Sequence, residues 1–355
     1  MDFEVNRKDL HQTRFLSSEA PSPTDGQALL RIESFGLTAN NITYAVFGES
    51  MRYWDFFPAS DPHWGKLNVW GYAHVEESRH PELAPGMRVY GYLPCASHLL
   101  VEPDRINEKG FVDAAPHRLA LSSAYQGYRN VQTDPVYSAQ REAEHILFFP
   151  LFFTSFLIDD FLADESFFGA DKIVISSASS KTAIIAAYLL AKRDGVRVVG
   201  LTSENHAEFA KRLGIYDEVY LYDDVAELPG DRAVYVDISG NSAVRSDVHT
   251  HYGDRLAHSA AVGMTHWTEM APGSAPLTGP SPVFFFAPDR IKKRGADWGT
   301  AELDRKVADA WAPFADWASD WIRVERISGE EEIQKAYLEL LDGKVDPAAG
   351  TIVEV

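Results

Sequence analysis

The sequence predicts an α/β protein in which a Rossmann-type, doubly wound parallel sheet lies between two pieces of a smaller β-rich domain. From Asp171 onward the chain repeats strand, turn and helix, which is the pattern of parallel α/β winding. Several stretches within residues 26–101 instead alternate apolar and polar side chains, as half-buried strands do, and the chain ends on the strand-like GTIVEV. These observations predict that the β-rich domain is made from both ends of the chain.

Length and composition are those of a folded protein with two domains. A chain of 355 residues is long enough for two buried cores at the usual size of roughly 100–200 residues per domain. The residues are 45% hydrophobic and 12% aromatic, which argues against a disordered chain. The net charge of −19 repels phosphate backbones and anionic lipid head groups. We therefore expect a small-molecule substrate, with no nucleic-acid partner and no membrane partner.

Three features predict a cytoplasmic protein. The single cysteine, Cys95, cannot form an intrachain disulfide or a cysteine zinc cluster, which favours a reducing compartment. The N-terminal MDFEVNRKDLHQTRF is charged from its second residue and lacks the apolar core of a signal peptide. The most apolar run, from Ile146 to Ile158, is too short to span a bilayer and predicts a buried core segment.

The N-terminal region has the pattern of a β-sheet. Residues 26–36 and 69–75 alternate apolar and polar side chains. Pro85-Gly86 predicts a turn, and strands are expected to follow at 88–92 and 97–101.

The stretch from 115 to 144 has no clean strand alternation, and we expect helix and loop there. It contains an apparent insertion at 118–144, which could form a lid. Tyr125, Tyr128 and Arg129 make a polar aromatic cluster that could close over a substrate. The alternative is a packed helical hairpin.

Changes of pattern set the predicted domain boundaries. The Rossmann domain is expected over residues 148–287, and the β-rich domain over residues 1–147 and 288–355. The Pro- and Gly-rich segment 271–282 predicts a loop. A polar, basic segment then continues to Trp321 and precedes a helix, EEEIQKAYLELLDGKV, and the final strand.

The first strand and helix of the Rossmann domain predict an anion site. A strand at 172–176 leads into a turn of small and hydroxyl residues and then a helix rich in Ala, Ile and Leu. A helix N-terminus presents unpaired amides and partial positive charge, so a pyrophosphate is expected there. The candidate residues are Ser177, Ser179, Ser180, Lys181 and Thr182. The usual G-x-G-x-x-G is absent, and the alternative is that these serines only cap the helix.

The end of the second strand favours NADP over NAD. An NAD site places an acidic residue there to bind the ribose 2′-hydroxyl, whereas this strand ends in GLTSEN with the neutral Ser203 and Asn205. The adjacent Glu204 keeps the NAD alternative open. Basic residues that could bind a 2′-phosphate are Lys211, Arg212 and those of the run RIKKRG, which includes Lys292 and Arg294. The alternative for that run is a solvated helix face.

Several segments along most of the chain carry a family resemblance. DGQALLRIESFGLTANNITYAVFG, APGMRVYGYLPCASHLLVEPDRI, GIYDEVYLYDD, VYVDISGNSAV and KVDPAAGTIVEV resemble the medium-chain dehydrogenase/reductase superfamily, in its zinc-independent, quinone-reductase-like branch. SSASSKTA together with FFFAPDRIKKRGADWG is similar to the DUF2855 group.

The resemblance implies a GroES-like domain built from both termini, a Rossmann domain, NADP(H) at the Ser177–Thr182 turn with Gly240 nearby, and substrate in the interdomain cleft. It also implies a possible homodimer through edge strands of the Rossmann sheet. No zinc is expected, because GLTANN and WGYAHV stand where the zinc enzymes have their first Cys and Gly-His-Glu.

Without a metal, reduction needs a hydride donor, hydrogen bonds to the developing oxyanion and a proton source. Tyr44 and Tyr53 are the candidate proton donors, and Asn41 could orient a carbonyl. Each has a structural alternative, since a tyrosine commonly packs its ring and Asn41 could simply hold a loop.

The leading hypothesis is an NADPH-dependent, zinc-independent oxidoreductase that reduces a small carbonyl, enone or quinone. One alternative is an enzyme that uses bound NADP for non-redox or internally recycled chemistry, such as carbon–carbon bond cleavage. The other is a noncatalytic NADP-binding sensor. No serine-hydrolase elbow, HExxH helix or P-loop is present.

Overall fold

The computed structural model describes residues 1–17, 19–262 and 277–355, which divide into two compact units. The first unit comprises Met1–Leu147 and Ile322–Val355, and the second comprises Phe148–Trp321. Part of the predicted loop at 271–282 lies outside the described residues.

The strands, in chain order, are β1 (Asp2–Asn6), β2 (Thr13–Leu16), β3 (Ala28–Leu37), β4 (Trp64–Lys66), β5 (Asn68–Ser78), β6 (Arg88–Pro94), β7 (His98–Val101), β8 (Pro103–Asn107), β9 (Gly110–Asp113), β10 (Gly127–Asn130), β11 (Lys172–Ser176), β12 (Arg197–Thr202), β13 (Glu218–Leu221), β14 (Ala233–Asp237), β15 (Leu256–Ala261), β16 (Val283–Phe284), β17 (Arg323–Ile327) and β18 (Ala349–Glu354). The helices are α1 (Ala39–Val46), α2 (Glu142–Asp164), α3 (Lys181–Leu190), α4 (Glu204–Arg212), α5 (Ser242–Tyr252), α6 (Ala287–Trp298), α7 (Thr300–Ser319) and α8 (Glu330–Leu341).

Both ends of the chain build the main sheet of the first unit. Its strands run in the order β17-β18-β3-β5-β6-β10-β9-β8, with β7 also paired to β3, and a second sheet has the order β2-β1-β4. The C-terminal β18 pairs antiparallel with β3, where Ile352 faces Gly36. The predicted β-rich unit with strands from both termini is therefore confirmed.

The two faces of β5 and β6 differ because successive side chains of a strand point to opposite sides. One face carries aromatic pairs, with Trp70 opposite Tyr92 and Tyr72 opposite Tyr90. The other face carries apolar residues of the buried core, among them Val69, Ala73, Val75, Val89 and Leu93. Tyr44, a candidate catalytic residue on α1, packs against this aromatic face through Tyr92.

The predicted helix and loop at 115–144 is wrong at its centre, where β10 joins the sheet between β6 and β9. Tyr128 is 1% exposed, and its hydroxyl donates to the Tyr92 carbonyl at 2.9 Å. The buried Arg118 also donates to the Tyr128 hydroxyl, at 3.1 Å. Tyr128 is thus a core residue and not part of a lid.

The second unit is a doubly wound parallel sheet. Its strand order is β13-β12-β11-β14-β15-β16, and every neighbouring pair is parallel. Each residue of β11 and β14 is buried, as expected for a sheet covered on both faces. The direction of winding reverses between β11 and β14, and ligands of such sheets bind outside the carboxyl ends of the strands at that point.

Residues 288–321, which the sequence analysis placed in the β-rich domain, lie in the second unit. They form most of α6 and all of α7. Trp311 packs edge-on against Phe152 with ring centroids 5.1 Å apart, and Phe314 packs against Tyr188 at 5.2 Å. These aromatic contacts with α2 and α3 explain why α7 belongs to the Rossmann unit.

The apolar run at 146–158 is part of a longer helix than expected. Together with the turn before α2, residues 139–164 are long and apolar enough to cross a membrane, yet 67% of the most apolar window is buried inside the structure. Asp159 and Asp160 of α2 are 4% and 8% exposed and pair with arginines. These properties are those of a core helix.

Candidate functional site

The turn between β11 and α3 keeps its shape without the usual glycines. Ser177 has a left-handed backbone with φ of +58°, a conformation that costs a residue with a side chain about 1–2 kcal/mol. Its amide donates to the Tyr222 hydroxyl at 3.1 Å. The Tyr216 hydroxyl donates to the Ala178 carbonyl at 2.8 Å. Tyrosines of neighbouring elements therefore hold the backbone in the conformation that glycine otherwise permits.

The residues at the start of α3 are partly exposed, so an anion can contact them. Ser180 is the N-cap, and its hydroxyl accepts from the Ala183 amide at 3.4 Å. Ser177, Ser179, Lys181 and Thr182 are half-buried, whereas Ala183–Leu190 are buried. The structure thus brings together Ser177, Ser179, Ser180, Lys181 and Thr182, at the carboxyl end of β11 beside the reversal of the sheet.

The end of β12 lies next to this turn. Ser203 precedes α4 without capping it through its hydroxyl, and Asn205 is exposed in the first turn of α4. His206 approaches the turn, with its Nδ1 3.1 Å from the Ser179 hydroxyl oxygen. The sequence analysis missed His206. Its place in the first turn of the helix after the second strand is the signal that could have found it.

Lys211 lies away from the turn. It is in the last turn of α4, about 10 Å along the helix from Glu204 at a rise of 1.5 Å per residue, and it pairs with Glu208 at 3.0 Å. Its predicted contact with a 2′-phosphate at the end of β12 is therefore not supported.

Lys292 and Arg294 also lie elsewhere, on α6, which follows β16. Four strand spacings, roughly 19 Å, separate β16 from β12. Arg294 is 7% exposed and donates to Asp160 at 2.7 Å and to Asp297 at 2.8 Å. Against the effect of burial, hydrogen bonds from Arg290 and Lys293 lower the pKa of Asp164 to about 2. Arg290, Lys293 and Arg294 of the run RIKKRG form an ion-pair cluster with these aspartates. The predicted role of Lys292 and Arg294 at a 2′-phosphate is therefore not supported.

Gly240 lies after β14, on the other side of the sheet reversal. It has φ of +63°, and its amide donates to the Asp237 carboxylate at 3.0 Å. The same carboxylate accepts from the hydroxyls of Ser176 and Ser239, each at 3.0 Å, and from Arg245 at 2.7 Å. Asp237, which the sequence analysis did not single out, therefore ties the loop carrying Gly240 to the end of β11.

The candidate catalytic tyrosines lie together in the first unit. Asn40 and Tyr44, one turn apart on α1, are joined by a hydrogen bond from Nδ2 to the hydroxyl at 2.7 Å. The Trp70 indole of β5 donates to the same hydroxyl at 3.0 Å. The Tyr44 and Tyr53 rings are 4.7 Å apart between centroids, and the Tyr53 hydroxyl lies 3.3 Å from that of Tyr125.

Burial distinguishes the two tyrosines. The Tyr44 side chain is 4% exposed, and burial raises its pKa well above the usual tyrosine value. Burial also raises the pKa of Tyr53, which is only half-buried. Both groups are hydroxyls at neutral pH, and Tyr53 is the more accessible.

The side chain of Asn41 forms structural hydrogen bonds through both its oxygen and its nitrogen. Its side-chain oxygen accepts from the Thr38 amide at 2.6 Å, and its Nδ2 donates to the Asn68 carbonyl at 2.8 Å. The residue is 2% exposed. It holds the start of α1 against β5, so the structural alternative is favoured over orienting a carbonyl.

Trp70 and Tyr92 are members of this cluster that the sequence analysis missed. Tyr92 is 0% exposed and packs edge-on against Tyr44 at 5.2 Å between centroids. The signal was the alternation of aromatic residues in VWGY and VYGY, which puts them on one face of paired strands. Phe56 and Phe57 of the same cluster also line a cavity of about 350 Å³, a volume suited to a small molecule.

The family model "Protein of unknown function (DUF2855)" matches residues 35–346. The chain belongs to the DUF2855 family. No curated protein matches the sequence. In the described residues of this DUF2855 protein, no group of three or more His, Cys, Asp or Glu side chains is arranged to hold a metal ion.

Solved structures share the fold of this DUF2855 protein. CurA from Vibrio vulnificus in complex with NADPH aligns with a TM-score of 0.59 and 16% identity, over 97% of this chain and 94% of that chain. YhdH from E. coli K-12 with bound NADPH has a TM-score of 0.56 and 17% identity, over 100% of both chains. The quinone oxidoreductase from Thermus thermophilus has a TM-score of 0.55 and 15% identity, over 100% and 99%. The predicted fold, a Rossmann domain with a GroES-like β-rich domain, is confirmed.

Proposed function

We propose that this DUF2855 protein is an NADPH-dependent oxidoreductase that reduces a small carbonyl, enone or quinone. The observation that carries the proposal is the half-exposed turn Ser177–Thr182, which opens at the carboxyl end of β11 beside the reversal of the sheet. CurA and YhdH, which share the fold, were solved with NADPH. The Thermus relative is a quinone oxidoreductase.

The residues of the turn fit a dinucleotide. In this proposal the amides at the start of α3 and the hydroxyls of Ser179 and Thr182 bind the pyrophosphate, with Lys181 supplying charge. Ser203, Asn205 and His206 can donate to a phosphate on the adenosine ribose. Gly240, on the loop held by Asp237, lets the backbone approach the ligand closely.

Tyr44, Tyr53 and Tyr125 form the tyrosine cluster, which supplies the proton in the proposed reaction. Bound NADPH contributes a hydride to an electrophilic carbon of the substrate. Tyr53 donates a hydrogen bond and then a proton to the substrate oxygen, while Tyr44 holds the neighbouring rings and hydroxyls in place. A flat, conjugated substrate matches the aromatic surroundings of Tyr53.

We test the cofactor site by placing a carboxylate at the start of α3. Thr182→Asp adds negative charge where the pyrophosphate is proposed to bind, so calorimetry should show at least tenfold weaker NADPH binding. An aspartate in the first turn favours the helix itself, so folding is kept.

Thr300→Asp is the matched control, because it makes the same change in the first turn of α7. It should bind NADPH as the wild type does. Wild-type protein that binds no NADPH, or Thr182→Asp protein that binds it normally, would contradict the proposed site.

The recycled-cofactor and sensor alternatives make different predictions from net reduction. Net reduction consumes NADPH in proportion to product, and its near-ultraviolet absorbance falls accordingly. Turnover of a substrate with constant absorbance would favour internally recycled chemistry. Binding of NADPH without turnover across carbonyls, enones and quinones would favour a sensor.

We also propose a homodimer through the edge of the Rossmann sheet. In the described part of the chain, β16 pairs with β15 on one side only. Val283 is 52% exposed and Phe286 is 46% exposed, so this edge offers apolar side chains and unpaired backbone groups. A second copy of the strand would satisfy both.

A further inference from the structure

The first two residues of the turn between β11 and α3 are bonded through their backbone to neighbouring elements. The Ser177 amide donates to the Tyr222 hydroxyl at 3.1 Å, and the Ala178 amide donates to the Leu201 carbonyl at 3.0 Å. The Ala178 carbonyl accepts from the Tyr216 hydroxyl at 2.8 Å. Leu201 belongs to β12, and the two tyrosines lie on either side of β13, so these two strands and their ends shape the turn.

A left-handed backbone is the first property that a glycine fingerprint supplies to such a turn, and here Ser177 has it. Glycine adopts its φ of +58° freely, whereas serine adopts it only at a cost in free energy. The net contributions of two hydrogen bonds are together similar in size to that cost, so the two tyrosine hydroxyls can offset it. Tyr222 also packs against the buried core that contains Val199 and Leu201, which fixes the position of its hydroxyl.

Close packing of the turn against the sheet is the second property, and here it depends on Gly200 of β12. A Cβ atom at this position would lie 2.9 Å from the Ala178 Cβ and 3.0 Å from the Tyr216 ring carbon Cδ1. Such short contacts would displace the turn or the ring. The glycine that allows the close approach therefore lies on the neighbouring strand, since the turn SASSKT itself contains none.

We infer that Tyr216, Tyr222 and Gly200 replace the glycine fingerprint, because they hold a turn without glycine in the shape that binds a dinucleotide. The inference rests on the proposed NADPH-dependent function and adds positioning residues that lie outside the turn. None of the three has to contact NADPH. Because the Ser177 and Ala178 amides are already bonded within the protein, the pyrophosphate is expected to contact the start of α3 and not these two amides.

Removal of both tyrosine hydroxyls tests this inference. Tyr216→Phe combined with Tyr222→Phe keeps both rings but takes away the two hydrogen bonds that hold the turn. We expect calorimetry to show at least tenfold weaker NADPH binding, because the turn relaxes from its left-handed shape. Tyr220→Phe is the matched control, since this residue of β13 bonds through its hydroxyl to Glu218 and not to the turn. It should bind NADPH as the wild type does.

Ser177→Gly separates positioning of the turn from direct contact with NADPH. Glycine needs no support to keep a positive φ, so in Ser177→Gly protein the same two tyrosine substitutions should weaken NADPH binding less than threefold. A tenfold loss in both backgrounds would overturn the inference, because the hydroxyls would then act on NADPH itself. Wild-type affinity in the double tyrosine variant would also overturn it. Either result would leave the proposed function standing.

Crystal structures of the variants without NADPH test the inference independently of the proposed function. We expect residue 177 to take a negative φ in the double tyrosine variant and to keep a positive φ when Ser177→Gly is added. A Ser177 that stays near +58° without the two hydroxyls would overturn the inference. Failure of the wild-type protein to bind NADPH would instead contradict the proposed function, and these structures would still test what shapes the turn.

Discussion

Tyr44 and Tyr53 carry the same functional group in different surroundings, and the difference assigns them different roles. The Tyr44 hydroxyl accepts from two nitrogen donors and is nearly inaccessible. Among the described residues, the Tyr53 hydroxyl has one hydrogen-bond partner, the Tyr125 hydroxyl, at a longer distance of 3.3 Å. Tyr44 is therefore suited to hold the cluster together, and Tyr53 is suited to contact a substrate.

Substitution by phenylalanine should separate these roles. Tyr53→Phe should lower kcat about a hundredfold with less than about 1 kcal/mol change in the free energy of unfolding. Tyr44→Phe should lower that free energy by about 1–3 kcal/mol, because it leaves the Trp70 and Asn40 donors unsatisfied. Steady-state kinetics and urea denaturation measure both effects. A Tyr53→Phe enzyme with wild-type kcat would remove Tyr53 from the reaction.

The pH dependence of kcat should follow the raised pKa of Tyr53. Burial raises this pKa above the ordinary value of 10.0, so the hydroxyl keeps its proton to higher pH than a tyrosine in water. The decrease in kcat that accompanies loss of this proton should therefore be centred above pH 10. A Tyr53-dependent fall in kcat centred near neutral pH would contradict this assignment.

Arg118 and Asp113 form a buried ion pair in the first unit. The Arg118 guanidinium and the Asp113 carboxylate are each 1% exposed and 2.6 Å apart. Arg118→Ala should lower the free energy of unfolding by about 3–5 kcal/mol, because Asp113 loses its buried counter-charge. Chemical denaturation measures this loss. Arg105→Ala is the control, since that side chain is 80% exposed and should contribute less than about 1 kcal/mol.

Residues that act through local structure were the easier ones to predict from the sequence, whereas the partners of residues that act through long-range contacts are not visible in it. The turn Ser177–Thr182 was predicted because strand, turn and helix follow one another along the chain. His206 and Trp70 were missed because their contacts with Ser179 and Tyr44 join residues 27 and 26 positions apart. Lys292 and Arg294 were assigned from charge alone, which shows neither that both lie on α6 nor that Arg294 is paired with Asp160 and Asp297.

At the scale of elements, long periodic segments were the predictable ones. Strands β11 and β12 and the helix α3 between them have strong apolar patterns, and the structure confirms them. The short β10 has only four residues, Gly127–Asn130, with a single apolar ring among polar side chains, so its pairing between β6 and β9 left no periodic signal. Helix α7 was placed in the wrong unit because its packing against α2 is not visible in its own sequence.

The exposed edge of β16 leads to a prediction about the oligomeric state of the protein. If two copies pair through this edge, light scattering should report a dimer for the wild type. It should report a monomer for Val283→Lys combined with Phe286→Lys, because each copy would bury two lysines at the interface. Val355→Lys is the control, since Val355 is 44% exposed and lies in the other unit. A wild-type monomer, or a variant that stays dimeric, would refute this interface.

For the whole molecule, the fold followed from two changes of hydrophobic period, and the matched structures confirm it at 15–17% identity. Similarity at such low identity shows the fold but does not indicate the substrate. The proposed chemistry therefore depends on this chain's own residues. Those residues are a serine-rich turn in the second unit and a tyrosine cluster in the first. The central claim is that the turn binds the pyrophosphate of NADPH.

A crystal structure of the protein with NADPH is the most direct test of that claim. We predict pyrophosphate oxygens within about 3 Å of the backbone amides at the start of α3 and of the Ser177–Thr182 side chains. Electron density for NADPH elsewhere on the protein, with this turn in contact only with water, would contradict the account.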